Sequence, residues 1–412
     1  MTTRRTFMAG IGATLGAGAT KTGRPNDAAT TGTAPFLAEH QSGIATPQQS
    51  HIYFAVFDVA TGRRDDLVRL MQTWTPIAAR LTAGMPADEL GHALSAAPPD
   101  SGESLDLGRA GLTLTFGFGP ALFADQGKDR FGLAAMRPAA LVDLPQFPGD
   151  QFEAEKTGGA IAIQACANDP QAAFHAIRQL ARAGDQVVSI KWTQAGFSIK
   201  PEGQKVPRNL MGFRDGTMNP DITDAKAMEH FVWVGGEGPA WMQGGSYLVA
   251  RPIRIALQHW DQMRLGFQEK VIGRHKYSGA PLGETKETAP LDLSAIGADG
   301  DPVIPENAHA RLGAPALNGG MQMLRRSYSY SGGVSYVAER WPPWRQAMEY
   351  DAGLLFIAYQ KDPRTAFIPI FERMSRLDAL NQFTTHVGSG IFACPGGIEK
   401  GSYIGQGLLE TS

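Results

Sequence analysis

Strand-forming residues run unbroken from His51 to Val59, and a helical pattern follows at once. Between Arg64 and Leu81, the residues Leu67, Leu70, Met71, Trp74 and Ile77 recur on one face. Leu112–Phe116 and Ala160–Cys166 read as two further strands, and Pro170–Arg182 as a second helix with Asp169 as its N-cap and Pro170 at its first position. Val187–Trp192 returns to strand. A similar progression begins near Arg208: a strand at Tyr247–Arg251, a helix at Ile255–Gly266, a long Pro-, Gly- and Asp-rich loop over 278–307, and a buried strand at Leu354–Tyr359. Pro363–Leu377 reads as a helix that Pro369 interrupts. Residues 20–50, rich in Gly, Ala, Thr, Pro and Gln, show no apolar period and read as a linker. Two halves, 51–205 and 206–412, each of strands interleaved with two helices, predict an α+β protein made of two ferredoxin-like domains packed sheet to sheet.

Composition narrows the function classes. Hydrophobic residues make up 43% of the 412, enough for sizeable cores. With 38 Lys+Arg against 40 Asp+Glu there is no basic field to grip nucleic acid. Cys166 and Cys394 show no CxxC pair and no zinc or iron–sulfur spacing. They are a single disulfide in an oxidising compartment or, the preferred reading, two buried free thiols. The first residues, Thr3-Arg4-Arg5-Thr6-Phe7-Met8, lead into a short Gly/Ala-rich apolar stretch over 9–19 that is too short for a membrane span. Residues 1–19 thus read as a twin-arginine export signal, with small residues at 17–19 for cleavage and a periplasmic or extracellular destination. Folded export suits a protein that acquires a cofactor in the cytoplasm.

Three short segments carry the chemistry. Met211-Gly212-Phe213-Arg214-Asp215-Gly216-Thr217 would by itself be a turn, since Asp-Gly between apolar residues favours one. Downstream stand Asn307-Ala308-His309-Ala310-Arg311-Leu312 and Met323-Leu324-Arg325-Arg326-Ser327-Tyr328. In this order and spacing they resemble the dye-decolourising peroxidases, particularly the exported subfamily that includes the peroxidase/deferrochelatase of ferrous-iron uptake systems. The resemblance extends through Leu114–Pro120, Gly158–Gln164, Gly244–Val249 and Gly353–Gln360, nearly the whole chain after residue 50.

The resemblance implies one haem b per chain, bound without covalent attachment. It places His309 on the iron, Asp215 and Arg325 on the peroxide side, and Gly216 and Thr217 beside the cofactor with Arg325. The implied reaction reduces hydrogen peroxide while oxidising bulky donors such as dyes or phenols. Its alternatives are a deferrochelatase that frees iron from haem, with iron-uptake components as partners, and a non-catalytic haem carrier. An oligomer of identical chains is left open. The residue types suit peroxide chemistry: a neutral imidazole is a common axial ligand, a carboxylate can take and return a proton, and a permanent guanidinium charge can stabilise an anion. A carboxylate usually supports such a histidine through its second ring nitrogen, and Asp351 is the candidate. His386 is the rival ligand. His92 and His175 read as surface or satisfied core residues, and Gly388–Ala393 as a turn before a strand. Tyr328, Tyr330, Trp341 and Trp344 read as aromatic packing, with electron relay as the alternative.

Overall fold

Both faces of the strand at His51–Val59 are buried in the computed structural model, which describes residues 35–410 except 92, 204–205 and 339–345. That explains why the segment is apolar without alternation. It is β1, and it is followed by α1 (Arg64–Thr82), β2 (Thr113–Phe118), β3 (Ile161–Ala167), α2 (Pro170–Gly184) and β4 (Val188–Phe197). Asp169 caps α2 by accepting from the backbone N–H groups of Gln171 (2.7 Å) and Ala172 (3.1 Å). The strands lie in the order β4-β1-β3-β2, all antiparallel.

The C-terminal half repeats the plan. It comprises β5 (Ser246–Ile255), α3 (Leu265–Ile272), α4 (His309–Leu312), β6 (Leu324–Arg325), β7 (Tyr328–Ala338), β8 (Gln346–Gln360), α5 (Phe367–Leu377), β9 (Thr384–His386) and β10 (Gly390–Cys394). Its sheet runs β10-β5-β8-β7, the same order of first, second, third and fourth strands as in the N-terminal half. Phe118↔Ala393 joins β2 to β10 and Phe197↔Ser329 joins β4 to β7, so the two four-stranded sheets close into one ring. Two ferredoxin-like units packed sheet to sheet is therefore the fold. Inside the ring, Ile52, Phe54 and Val56 of β1 meet Leu355, Ile357 and Tyr359 of β8 in one core. Ala55, Phe57 and Val59, one residue out of step, face α1 and α2 instead.

Three expectations change. The stretch over 41–49 is no linker: Ile44 is 1% exposed, and the Gln41 side chain donates to the carbonyls of Phe116 and Pro395, both at 2.9 Å. It also accepts from Phe116 N at 2.8 Å. Buried glutamines that satisfy backbone groups give no apolar period, so the segment passes for solvent-exposed chain. The helix expected at 255–266 is largely absent, because β5 continues to Ile255, held by Ile253↔Leu354 and Ile255↔Thr384. A single turn at Leu257–Trp260 separates it from α3. Pro369 does not interrupt α5. It is the third residue of that helix, where no intrahelical donor is needed. β7 reaches Ala338, with Gly332-Gly333 absorbed in an irregularity between Ser331 and Val334. Cys166 and Cys394 are both buried and unpaired, as preferred. Trp341, Trp344, His92 and the export segment lie outside the described residues.

Candidate active site

All residues lining one large cavity belong to the C-terminal half. It encloses about 1620 Å³, open mouth included, and His309, Asp215, Gly216, Thr217 and Arg325 all face it. The three sequence segments therefore converge on one space.

His309 opens α4, and its Nδ1 lies 2.6 Å from Oδ2 of Asp378. The carboxylate is buried and held in turn by Leu380 N on Oδ1, 2.8 Å away. A backbone bond from Ala379 N to Asn307 O (3.0 Å) fastens the two loops together. Burial works to lower the imidazole pKa, but the charge and hydrogen bond of Asp378 outweigh it and hold the ring above its ordinary value. With Nδ1–H given to Asp378, the Nε2 lone pair is left for a metal. Asp351, the carboxylate expected in this role, is engaged elsewhere. It lies across the β5–β8 ladder from Arg254, which donates to it through Nε at 3.2 Å. Asp378 escaped notice because it is 69 residues from His309 and stands just past the end of α5, where an aspartate reads as a cap.

On the other functional pair, Arg325 Nη1 stands 3.9 Å from Asp215 Oδ1. A residue the sequence reading missed, Asn219, clasps the arginine: its Nδ2 donates to Arg325 O at 2.6 Å, and its Oδ1 accepts from Arg325 N (3.2 Å) and Nε (3.3 Å). Asp215 is fixed by its own backbone, whose N–H donates to Pro207 O at 3.0 Å. Gly216 has φ +97°, a left-handed conformation that a side chain rarely adopts, so the Asp-Gly turn aims Asp215 without strain. Thr217 Oγ1 is buried against the cavity with no hydrogen-bond partner among the described residues.

The remaining walls suit a flat apolar macrocycle with acidic edges. Ile253, Ile272, Leu354, Phe356, Ile370 and Met374 supply the apolar surface. Arg274, 5% exposed, also faces the cavity. Its Nη1 donates to Gly279 O (2.9 Å) and Glu287 O (3.1 Å), while Nη2 has no partner among the described residues. A buried cation with a spare donor fits a carboxylate on the cofactor. Its only sequence cue was its place just beyond the Gly273 that ends α3. His386 lines the same cavity, stacked edge-on to Phe371 with centroids 4.7 Å apart. Its Nδ1 has no partner among the described residues, and burial, then the charge of Arg251, push its pKa well below the ordinary value. Two imidazoles thus reach the space, and only His309 has a carboxylate behind it.

Comparison with known proteins places this geometry. The models for the N-terminal and C-terminal domains of Dyp-type peroxidases match residues 41–198 and 206–399. A deferrochelatase of Yersinia pseudotuberculosis is 36% identical over 390 residues, 92% of this chain and 85% of its own length. A dye-decolorizing peroxidase of Thermobifida fusca is 38% identical over 393 residues, with the same coverage. The crystal structure of a DyP-type peroxidase from Streptomyces coelicolor superposes with a TM-score of 0.82 at 39% identity, covering 92% of this chain and 98% of that one. An oxyferrous complex of DtpA from Streptomyces lividans gives the same four values. The chain belongs to the Dyp-type peroxidase family.

Proposed function

We propose that the cavity binds one haem b through His309 and that the protein uses it to reduce hydrogen peroxide while oxidising bulky organic donors. The observation that carries this reading is the His309–Asp378 bond at 2.6 Å in a cavity shared with the Asp215–Arg325 pair. Haem, when bound, supplies the iron at which the O–O bond is broken and through which donor electrons pass. The chain's own groups do the rest. Asp378 fixes the tautomer of His309 and makes its free nitrogen the better ligand. Asp215 accepts a proton from one peroxide oxygen and delivers it to the other. Arg325, held by Asn219, keeps a fixed positive charge where the departing oxygen becomes anionic. Arg274, Gly216 and Thr217 would help hold the haem.

Replacing Asp378 by Asn preserves the shape but removes the charge, and is expected to weaken haem retention or turnover about 10–100-fold. Titration of the haem-free variant with haem checks this, and unchanged affinity together with unchanged turnover would remove Asp378 from the site. The test of the function itself is donor oxidation. Haem-loaded protein given peroxide and a phenol or dye should consume the two in fixed proportion. The deferrochelatase relatives favour a second reading, in which the protein frees iron from haem. Loss of iron with recovery of intact metal-free porphyrin, and no donor oxidation, would select it.

Export by the twin-arginine pathway rests on Arg4-Arg5 and the short apolar stretch behind them. The double Arg→Lys variant is expected to accumulate in the cytoplasm as active protein, because the defect lies in address reading. Fractionation that still finds it exported would end this assignment. No helix among the described residues is long and apolar enough to cross a membrane.

A further inference from the structure

Five of the chain's fourteen methionines, Met211, Met218, Met321, Met323 and Met374, line the one cavity. Met211 is buried in a separate core with Phe213, whereas the other four are half-buried, Met374 on α5 and Met218, Met321 and Met323 in the segments around Asn219 and Arg325. We propose that Met218, Met321 and Met323 form an oxidation site, where hydrogen peroxide converts their thioethers to sulfoxides and so turns the enzyme down. The inference rests on the peroxidase reading, since that reading brings peroxide into the cavity.

The chemistry needs no further reactant. A sulfur lone pair attacks one peroxide oxygen, the S–O bond forms as the O–O bond breaks, and the second oxygen leaves as water after proton transfer. Sulfur loses two electrons and peroxide gains them. The placement makes these three thioethers more vulnerable than their number alone would. Met218 directly precedes Asn219, and Met323 stands two residues before Arg325, so both border the clasp that orients the guanidinium. Met321 also lines a neighbouring cleft with Tyr247, Lys361 and Asp362, and peroxide can reach it from either side. Oxidation turns a flexible apolar side chain into a polar one with a strong acceptor oxygen. Beside the clasp, that oxygen competes for the N–H groups of Arg325 and disturbs its aim. Because sulfoxides are reduced enzymatically, the loss is reversible.

Holoenzyme is treated with hydrogen peroxide without any organic donor, and samples are digested for peptide mass mapping while residual activity is followed. Met218, Met321 and Met323 should gain oxygen in step with activity loss, ahead of Met85 and Met348, which are 46% and 62% exposed on the surface. Methionine sulfoxide reductases should restore activity, and a triple Met→Leu variant should lose it severalfold more slowly. Activity that decays while these three stay unoxidised, or oxygen that appears first on Met85 and Met348, would overturn the proposal. The wild-type map decides the matter even if the triple variant folds poorly. Failure of the peroxidase reading would be seen separately, as absence of donor oxidation by fresh holoenzyme before any methionine has reacted.

Discussion

His309→Ala protein is expected to purify with little or no haem, and added haem should dissociate from it far more readily than from wild type. The substitution removes the nitrogen proposed to bind iron, and the other imidazole lining the cavity, His386, has no carboxylate behind it among the described residues. The deficit should exceed the roughly 10–100-fold cost of losing the carboxylate behind such a ligand. Apolar walls and Arg274 still offer contact area and a cation, so weak residual binding with an altered Soret band is consistent with the assignment. His386→Ala is the matched control. That imidazole reaches the same cavity but has no carboxylate partner among the described residues and lies against Phe371. Its removal should leave haem retention and the spectrum as in wild type. A His309→Ala protein with full haem and an unchanged Soret band, beside a His386→Ala protein that loses haem, would exchange the two roles.

How much of this site could be read from the sequence follows from the range of the interactions involved. The Asp-Gly turn, the N-cap of α2 and the run of strand formers in β1 are local features, and local chemistry states them directly. The pairing of His309 with a carboxylate was legible as a need, because a ligand imidazole requires an acceptor behind it. The identity of that acceptor was not legible. Asp351 stood beside a recognisable buried strand, yet its position on β8 sets it against Arg254, and only the return of α5 brings Asp378 to His309. Asn219 and Arg274 were hidden for the same reason. Each belongs to a segment whose sequence says turn or helix end; Asn219 acquires its role from Arg325, 106 residues on, and Arg274 from the folding of its loop, which turns the side chain to the cavity. The stretch at 41–49 was misread for a different cause. Its buried contacts are polar, and hydrophobic pattern cannot reveal them.

Separating the two groups that face peroxide gives the second large effect. Arg325→Leu is expected to slow the reaction of the haem-loaded protein with hydrogen peroxide by roughly 10²–10³-fold, the scale for losing one preorganised electrostatic donor. The leucine keeps apolar bulk but leaves the departing oxygen without its countercharge, while the two bonds between Asn219 and the backbone of residue 325 remain and only the one from Nε is lost. Asp215→Asn retains shape and removes the base, whose typical contribution is about 10²–10⁴-fold. The cavity is open to solvent and water can carry the proton, so the aspartate effect should be the smaller of the two. It should also be the more pH-dependent. A carboxylate serves as a base only in its ionised form, whereas a guanidinium keeps its charge throughout. Neither variant touches His309 or Asp378, so both should retain haem, which makes the comparison one of reactivity and not of occupancy. Stopped-flow recording of the Soret change after peroxide addition, repeated across pH, reads both effects. Variants that keep haem and match wild type at every pH would take Asp215 and Arg325 out of the peroxide reaction.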